Sequence, residues 1–241
     1  MSDGTESQPR KVAIVTGASQ GIGAGLVAGF RRTGYDVVGT ARTMPESAER
    51  DFVTVNGDIT KPETADRVVD QALARFGRID SLINNAGIYV GKPFTEYTRN
   101  DFAAITAVNL AGFFHITQLA IRQMVSQGVG HVVNISTSLV DRADSKRPSA
   151  LPALTKGGLA AVVRSLAIEY ASRGVRVNAV SLGVIRTPMH DAASYEGMAA
   201  LHPLGRVGEV GDVVDGILYL EQATFITGEV LHIDGGQTAG S

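Results

Sequence analysis

The chain has 241 residues, a formal net charge of −2, 44% hydrophobic residues and no cysteine. That is enough apolar material for a buried α/β core within one domain, and the near-neutral balance argues against a nucleic-acid partner. The lack of cysteine excludes disulfides, thiol nucleophiles and cysteine-ligated zinc. The five histidines (115, 131, 190, 202 and 232) show no ligand spacing, so no metal is expected and each reads as a packed or surface residue. The N-terminus lacks a signal pattern and no apolar run looks long enough to span a bilayer. The expectation is a cytoplasmic protein with no membrane partner.

Residues 1–10 are polar and read as a flexible tail, with 11–241 as a single domain. Val12 to Thr16 is a short β-branched apolar run, the pattern of a strand buried on both faces. Gly17, Ala18, Ser19, Gln20, Gly21, Ile22 and Gly23 follow, and a helix continues through Phe30. A strand, a glycine turn and a helix make a phosphate seat. Gly17 lets the chain leave the strand sharply, and Gly21 and Gly23 remove Cβ atoms that would block a pyrophosphate or the helix. The free N–H groups of the first helical turn then face the anion. A tight turn without a ligand uses glycines too, so the rest of the chain has to decide.

Tyr35 to Thr40 reads as a second strand, ending near Arg42 with no acid at positions 40–43. At that place an acid suits the 2′-hydroxyl of NAD, whereas arginine accommodates a 2′-phosphate. NADP(H) is therefore favoured over NAD(H), against the plainer reading of a solvated arginine. Phe52 to Asn56 is a third strand, followed by Asp58 and Ile59, which suit an adenine amino group and ring face. Pro62 starts a helix that Gly77 stops after Phe76. Asp80 to Asn84 is a fourth strand running into Asn85, Ala86 and Gly87, small enough for close approach to a cofactor.

Thr98 opens a long helix to about Gln127 with Asn109 in its middle, an unfavourable place for asparagine. Val132 to Ile135 is a fifth strand, followed by Ser136, Thr137 and Ser138. A charged loop from Leu139 to Leu151 is read as solvated, although it adjoins the next helix and can face a substrate. Pro152 suits a first helical position, and that helix runs to about Arg173 through Lys156, Gly157 and Gly158. Paired glycines there suggest close packing, in line with an oligomer built across this helix. Val175 to Val180 is a sixth strand, 181–203 a loop, Glu209 to Leu220 a helix, and a last strand lies within 226–236. The alternation implies a doubly wound parallel sheet of about seven strands, a Rossmann-type single-domain α/β fold.

From Lys11 to about Gly236 the chain resembles the classical short-chain dehydrogenase/reductases and is similar to the 3-oxoacyl carrier-protein reductases. The resemblance rests on Thr16 to Gly23, Asp58, Asn84 to Gly87, Asn109, Lys156, Arg176-Val177-Asn178, Thr187, Ile226-Thr227-Gly228 and Asp234-Gly235-Gly236. It implies hydride transfer between NAD(P)H and a carbonyl or alcohol, by a homo-oligomer, dimer or tetramer. It also implies Gly17 to Ile22 for the pyrophosphate and ribose, Arg42 for the 2′-phosphate, and Asp58 and Ile59 for adenine. Asn85 and Lys156 fall to the nicotinamide ribose, and Ile185 and Thr187 to the carboxamide. The family's catalytic set is Asn, Ser, Tyr and Lys, with tyrosine four residues before lysine. Carried over, it gives Asn109, Thr137 with Ser138 and Ser136 beside it, and Lys156, but Pro152 stands in the tyrosine position.

No tyrosine occurs from Asn100 to Glu169, so no register shift restores the motif. Proline has no proton to exchange, and a positioned acid contributes typically ~10²–10⁴-fold. Three readings remain open. One is an NADP(H) oxidoreductase whose proton comes from Lys156, from a water held by Asn109 and Lys156, or from Tyr89. The second is a cofactor-binding sensor or inactive oligomer partner, and the third a non-redox scaffold. The intact glycine turn, Asp58 and Asn85 argue against the third.

Overall fold

The computed structural model describes residues 9–188 and 195–240. Most of the expected tail, His190 and part of the 181–203 loop lie outside the described residues. The strands are β1 (Val12–Thr16), β2 (Asp36–Ala41), β3 (Phe52–Asn56), β4 (Ser81–Asn84), β5 (Gly130–Thr137), β6 (Val175–Leu182) and β7 (Val230–Ile233). They form one parallel sheet in the order β3-β2-β1-β4-β5-β6-β7. The chain winds outward from β1 in one direction and from β4 in the other. The crevice between their carboxyl ends is where such sheets bind ligands.

Alternation along β1 separates two cores. Val12 and Ile14 join the cluster under α2 (Pro62–Phe76), α4 (Gly112–Gln127) and α5 (Ala150–Tyr170). Ala13 and Val15 join the opposite cluster under α1 (Gly21–Arg32) and α7 (Val210–Gln222). A β1 buried on both faces follows from a parallel sheet covered by helices on each side. Gly25 and Gly29, one turn apart on α1, let α7 approach: an added Cβ would meet Val210 Cγ1 at 2.2 Å and Val214 Cγ1 at 2.5 Å.

Local signals explain most boundaries. Thr98 caps α3 (Arg99–Thr106) through a reciprocal pair with Asp101, and Gly77 ends α2 in the left-handed region at φ +77°. The expected single helix from Thr98 is interrupted by a π-turn at Ala107–Ala111, which carries Asn109. The helix bearing Lys156 begins at Ala150, so Pro152 is its third residue rather than its first. That position still lacks an intrahelical N–H partner, and proline costs little there. A short α6 (Tyr195–Ala199) lies where only loop was expected.

Two expectations need correction. Cβ atoms on Gly157 and Gly158 would meet Val140 and Leu110 side chains at 3.6 and 3.8 Å, ordinary contacts, so no close packing within the chain demands glycine there. The helical stretches Arg99–Gln127 and Ala150–Arg173 are long and apolar enough to cross a membrane by length and composition. Here they lie against the sheet, burying Ile116, Ala120, Ile121, Met124, Val163 and Ala167 in the core, while Phe102, Phe114, Leu154 and Ile168 remain exposed.

Candidate functional site

A cleft of about 1180 Å³ lies at the carboxyl edge of the sheet. It exceeds the ~300–1,000 Å³ of ordinary small-molecule sites. Its floor is the laced pair of turns after β1 and β4. Thr16 Oγ1 donates to Ile83 O at 3.3 Å and accepts from the N–H groups of Asn85 and Ala86 at 3.0 and 2.9 Å. Asn85 Nδ2 donates back to Thr16 O at 2.8 Å and Gly17 O at 3.2 Å. The amide of Asn85 therefore braces the glycine turn, leaving its carbonyl oxygen for a ligand.

Gly17 sits at φ +67°, and a Cβ there would lie 2.9 Å from Asn85 Nδ2. α1 opens at Gly21 with no side-chain cap from Gln20 and no acid in its first turn. Uncapped N–H groups at the positive end of a helix, beside Ser19, Gln20 and Ile22, form a seat for an anion. The cradle exists because Cβ atoms are missing, and it fits the pyrophosphate of a dinucleotide.

Arg42 follows β2, lines the cleft and has no ion-pair partner among the described residues. Asp58, after β3, lies across from it. The N–H of Thr60 donates to Asp58 Oδ1 at 3.0 Å and holds this carboxyl below its usual range, outweighing partial burial, with Arg42 adding to the effect. Ile59 lies beside Gly112 at the same end.

The opposite end is built from the π-turn, β5 and α5. Asn109 is buried; its Oδ1 accepts from the N–H of Ile88 at 2.9 Å, and its Nδ2 donates to Ile88 O and Thr155 Oγ1, both at 3.1 Å. The π-turn thus aims Asn109 so that it clamps the loop after β4 to α5; π-turns recur at functional sites for such re-aiming. Lys156 Nζ donates to Ile135 O at 2.8 Å, and burial lowers its pKa to about 8. A Cβ on Gly87 would lie 2.9 Å from this Nζ and 3.3 Å from Asn109 Oδ1, so Gly87 makes room for the ammonium.

The three hydroxyls after β5 separate. Ser136 Oγ donates to Lys156 O, and buried Ser138 Oγ donates to Gln237 Oε1 at 2.9 Å. Thr137 Oγ1 accepts one long bond, 3.4 Å, from the N–H of Leu139 and faces the cleft. Ser138 is thereby tied to the C-terminal segment, and Thr137 is the hydroxyl free to turn toward a substrate.

Ile185 is buried and pairs with Gly208 in an isolated bridge; Thr187 reaches over Gly21, its Cβ 3.3 Å from where a Cβ would stand. Tyr89 lines the cleft and is 44% exposed. Tyr195 exchanges two hydrogen bonds with the backbone of Thr187 and is buried. Gln237, from the C-terminal segment, also lines the cleft, a residue that carries no motif and is placed only by the fold.

A family model described as enoyl-(acyl carrier protein) reductase matches residues 17–238. The chain belongs to the short-chain dehydrogenase/reductase family. It is 32% identical to a glucose 1-dehydrogenase of Gluconobacter oxydans over 245 residues, covering 95% of this chain and 92% of that protein. It is 33% identical to the 3-oxoacyl-[acyl-carrier-protein] reductase FabG of Salmonella typhimurium over 238 residues, covering 94% and 96%. Among solved structures, ElxO with NADP bound superposes with a TM-score of 0.89 at 29% identity, covering 96% of this chain and all of that one. A Brucella melitensis 3-ketoacyl-(acyl-carrier-protein) reductase complexed with NADH gives 0.87 at 29%, covering 95% and 98%. As a short-chain dehydrogenase/reductase the chain is an oxidoreductase. Its departure is local: Pro152, buried beside the cleft, stands one helical turn before Lys156.

Proposed function

We propose that the protein is an NADP(H)-dependent oxidoreductase acting on a carbonyl or alcohol, with Lys156 as its proton source in place of a tyrosine. The observation that carries this is the convergence of Lys156 Nζ, Thr137 and Gly87 in a cleft whose phosphate seat is intact. A bound nicotinamide supplies or accepts the hydride. The N-terminus of α1 holds the pyrophosphate, Arg42 the 2′-phosphate, Asp58 and Ile59 the adenine, and Asn85, Ala86 and Gly87 the nicotinamide ribose, with Ile185 and Thr187 at the carboxamide. Thr137 Oγ1 donates to the substrate oxygen and orients it.

In reduction, Lys156 gives a proton to that oxygen, directly or through a water in the space a phenol ring would fill. With an ordinary pKa a lysine ammonium is a weak acid; lowered to about 8 it is matched to neutral pH. The side chain of Asn109 is engaged with Ile88 and Thr155, so it positions the loop rather than holding the water expected of it. Residues 11–241 act as one domain behind the short tail, in a cytoplasmic homo-oligomer, dimer or tetramer, that covers the exposed apolar faces of α3, α4 and α5.

The second reading, a cofactor-binding sensor or inactive oligomer partner, is favoured by Pro152 alone. Incubating the chain with NADPH deuterated at the transferable position and a mixture of aldehydes and ketones separates the two. Deuterium in the alcohols supports the enzyme, and label from Pro152→Tyr alone supports the binding protein.

A further inference from the structure

Among the described residues, four cationic side chains line the cleft, Arg42, Lys146, Arg147 and Lys156, against a single carboxylate, Asp58. The proposed function absorbs Arg42, Asp58 and Lys156. It leaves Lys146 and Arg147, in the charged loop between β5 and α5. Neither has an ion-pair partner among the described residues. Neither acid of the same loop forms an ion pair with them. Asp144 Oδ1 accepts the backbone N–H of Lys146 at 2.9 Å, and Asp141 Oδ2 faces Ser181 Oγ and His232 Nε2, each at 3.2 Å.

The loop is also anchored. The N–H of Arg147 donates to Asp144 O at 3.0 Å, and Ser149 Oγ donates to Arg147 O at 2.6 Å. Arg142 Nη1 donates to Gln237 O and to Gly240 O, tying the loop to the C-terminal segment. Arg142 thus ties the loop at the rim, while no carboxylate among the described residues is in ion-pair contact with the ammonium or the guanidinium.

These cations are not a second hold on the 2′-phosphate of the cofactor. Arg42 follows β2 and the loop follows β5, three strand positions apart in the sheet order, or about 14 Å at the usual interstrand spacing. Lys146 and Arg147 line the cleft together with Pro148 and Pro152, in the loop that joins Thr137 at the end of β5 to the helix bearing Lys156.

We propose that Lys146 and Arg147 form an anion subsite, and that the substrate is a carbonyl compound or alcohol carrying a carboxylate or phosphate beyond a short apolar span. Its reacting oxygen lies at Thr137 and Lys156, the apolar span lies along Pro152 and Pro148, and the anion meets the cationic rim. A planar guanidinium binds a carboxylate or phosphate through two parallel hydrogen bonds, and the ammonium adds a point charge. The substrate class rests on the proposed oxidoreductase reading; the anion site itself does not.

The test has two arms. In the first, NADPH-dependent reduction is measured on oxo-acids, on their methyl esters and on aldehydes bearing a phosphate monoester. The acid or phosphate is expected to exceed the ester at least tenfold in kcat/KM, the order of one charge-assisted contact. In Lys146→Met/Arg147→Met that ratio collapses toward one, while Arg164→Met, an exposed cation outside the cleft, keeps it. A ratio near one in the natural chain, or one that survives the double change, overturns the proposal. The relative rates of oxo-acid and phosphate identify the anion.

In the second arm, calorimetry follows benzoate, methyl benzoate and inorganic phosphate binding to the NADPH-loaded protein. This arm needs no turnover. Anion binding lost in the double variant, with no reduction of any compound, supports the subsite and refutes the enzyme. Turnover without anion preference does the reverse. Benzoate and phosphate binding no tighter than methyl benzoate refutes the subsite.

Discussion

Replacing Gly23 with alanine puts the phosphate seat under direct test. Gly23 lies in the first turn of α1, and an added Cβ would stand 2.0 Å from Gly17 O, 2.8 Å from Gly17 C and 2.8 Å from Asn85 Nδ2. A carbon and a carbonyl oxygen in contact sit roughly 3.3 Å apart, so the helix and the glycine turn must part by about 1.3 Å. Two of the three obstructing atoms are backbone, in a turn fixed by Asn85 and Thr16, and cannot rotate away. Overpacking typically costs ~1–3 kcal/mol; with backbone in the way the upper end applies, lowering Tm by roughly 6–12 °C.

The same separation misaligns the N–H groups proposed to hold the pyrophosphate, and NADPH affinity is expected to fall at least tenfold, about 1.4 kcal/mol. Gly29→Ala is the control. Its Cβ would meet Val214 Cγ1 at 2.5 Å, a side-chain obstruction far along α1 from the turn. It is expected to lower Tm while NADPH affinity stays within about twofold. Thermal unfolding and NADPH fluorescence titration measure both. Wild-type NADPH affinity in Gly23→Ala, or an equal loss in Gly29→Ala, would refute the reasoning.

Arg42→Ala is expected to weaken NADPH by about tenfold, the order of one charge-assisted hydrogen bond, and leave NADH unaffected; titration with both cofactors checks this. Reductive turnover is expected to decline as pH rises through about 8, where Lys156 loses its proton, and oxidation of the alcohol to rise over the same range, which a pH–rate profile in each direction reads. Buried His131 is held below its ordinary 6.5 by desolvation, and its Nε2 accepts from Asn178 Nδ2 at 3.0 Å. Glu221 Oε2, 2.8 Å from Nδ1, opposes this only in part, so the fold takes up the proton at lower pH than the unfolded chain, which does so below pH about 6.5. Its stability contribution is therefore present above that pH and lost as pH falls below it, by at most about 1.4 kcal/mol per pH unit. Urea unfolding from pH 7.5 to 5.5 is expected to show a smaller slope in His131→Gln.

Much of this was legible in the sequence because the signals were local. The β-branched runs, Gly77 after α2, Thr98 before α3 and the strand–helix alternation each act within a few residues. The residues that line the cleft followed because they sit at strand ends, where the chain must turn. What stayed hidden depends on contacts distant in sequence. Gly25 and Gly29 read as ordinary helix residues until α7 lies across them. Ser138 and Thr137 are neighbours with the same chemistry, and only the returning C-terminal segment, through Gln237, separates their roles. The π-turn at Asn109 leaves no mark in composition. The rim cations looked like a solvated loop because charge alone does not report where a loop is anchored.

The central claim is that the chain transfers hydride without a tyrosine at position 152. The most direct measurement is mass spectrometry of alcohols formed from NADPH deuterated at the transferable position, with the natural chain, Pro152→Tyr and Lys156→Met side by side. The account predicts deuterium in the product of the natural chain and its loss in Lys156→Met. Label from Pro152→Tyr with none from the natural chain would contradict it and leave a cofactor-binding protein with an intact but proton-poor cleft.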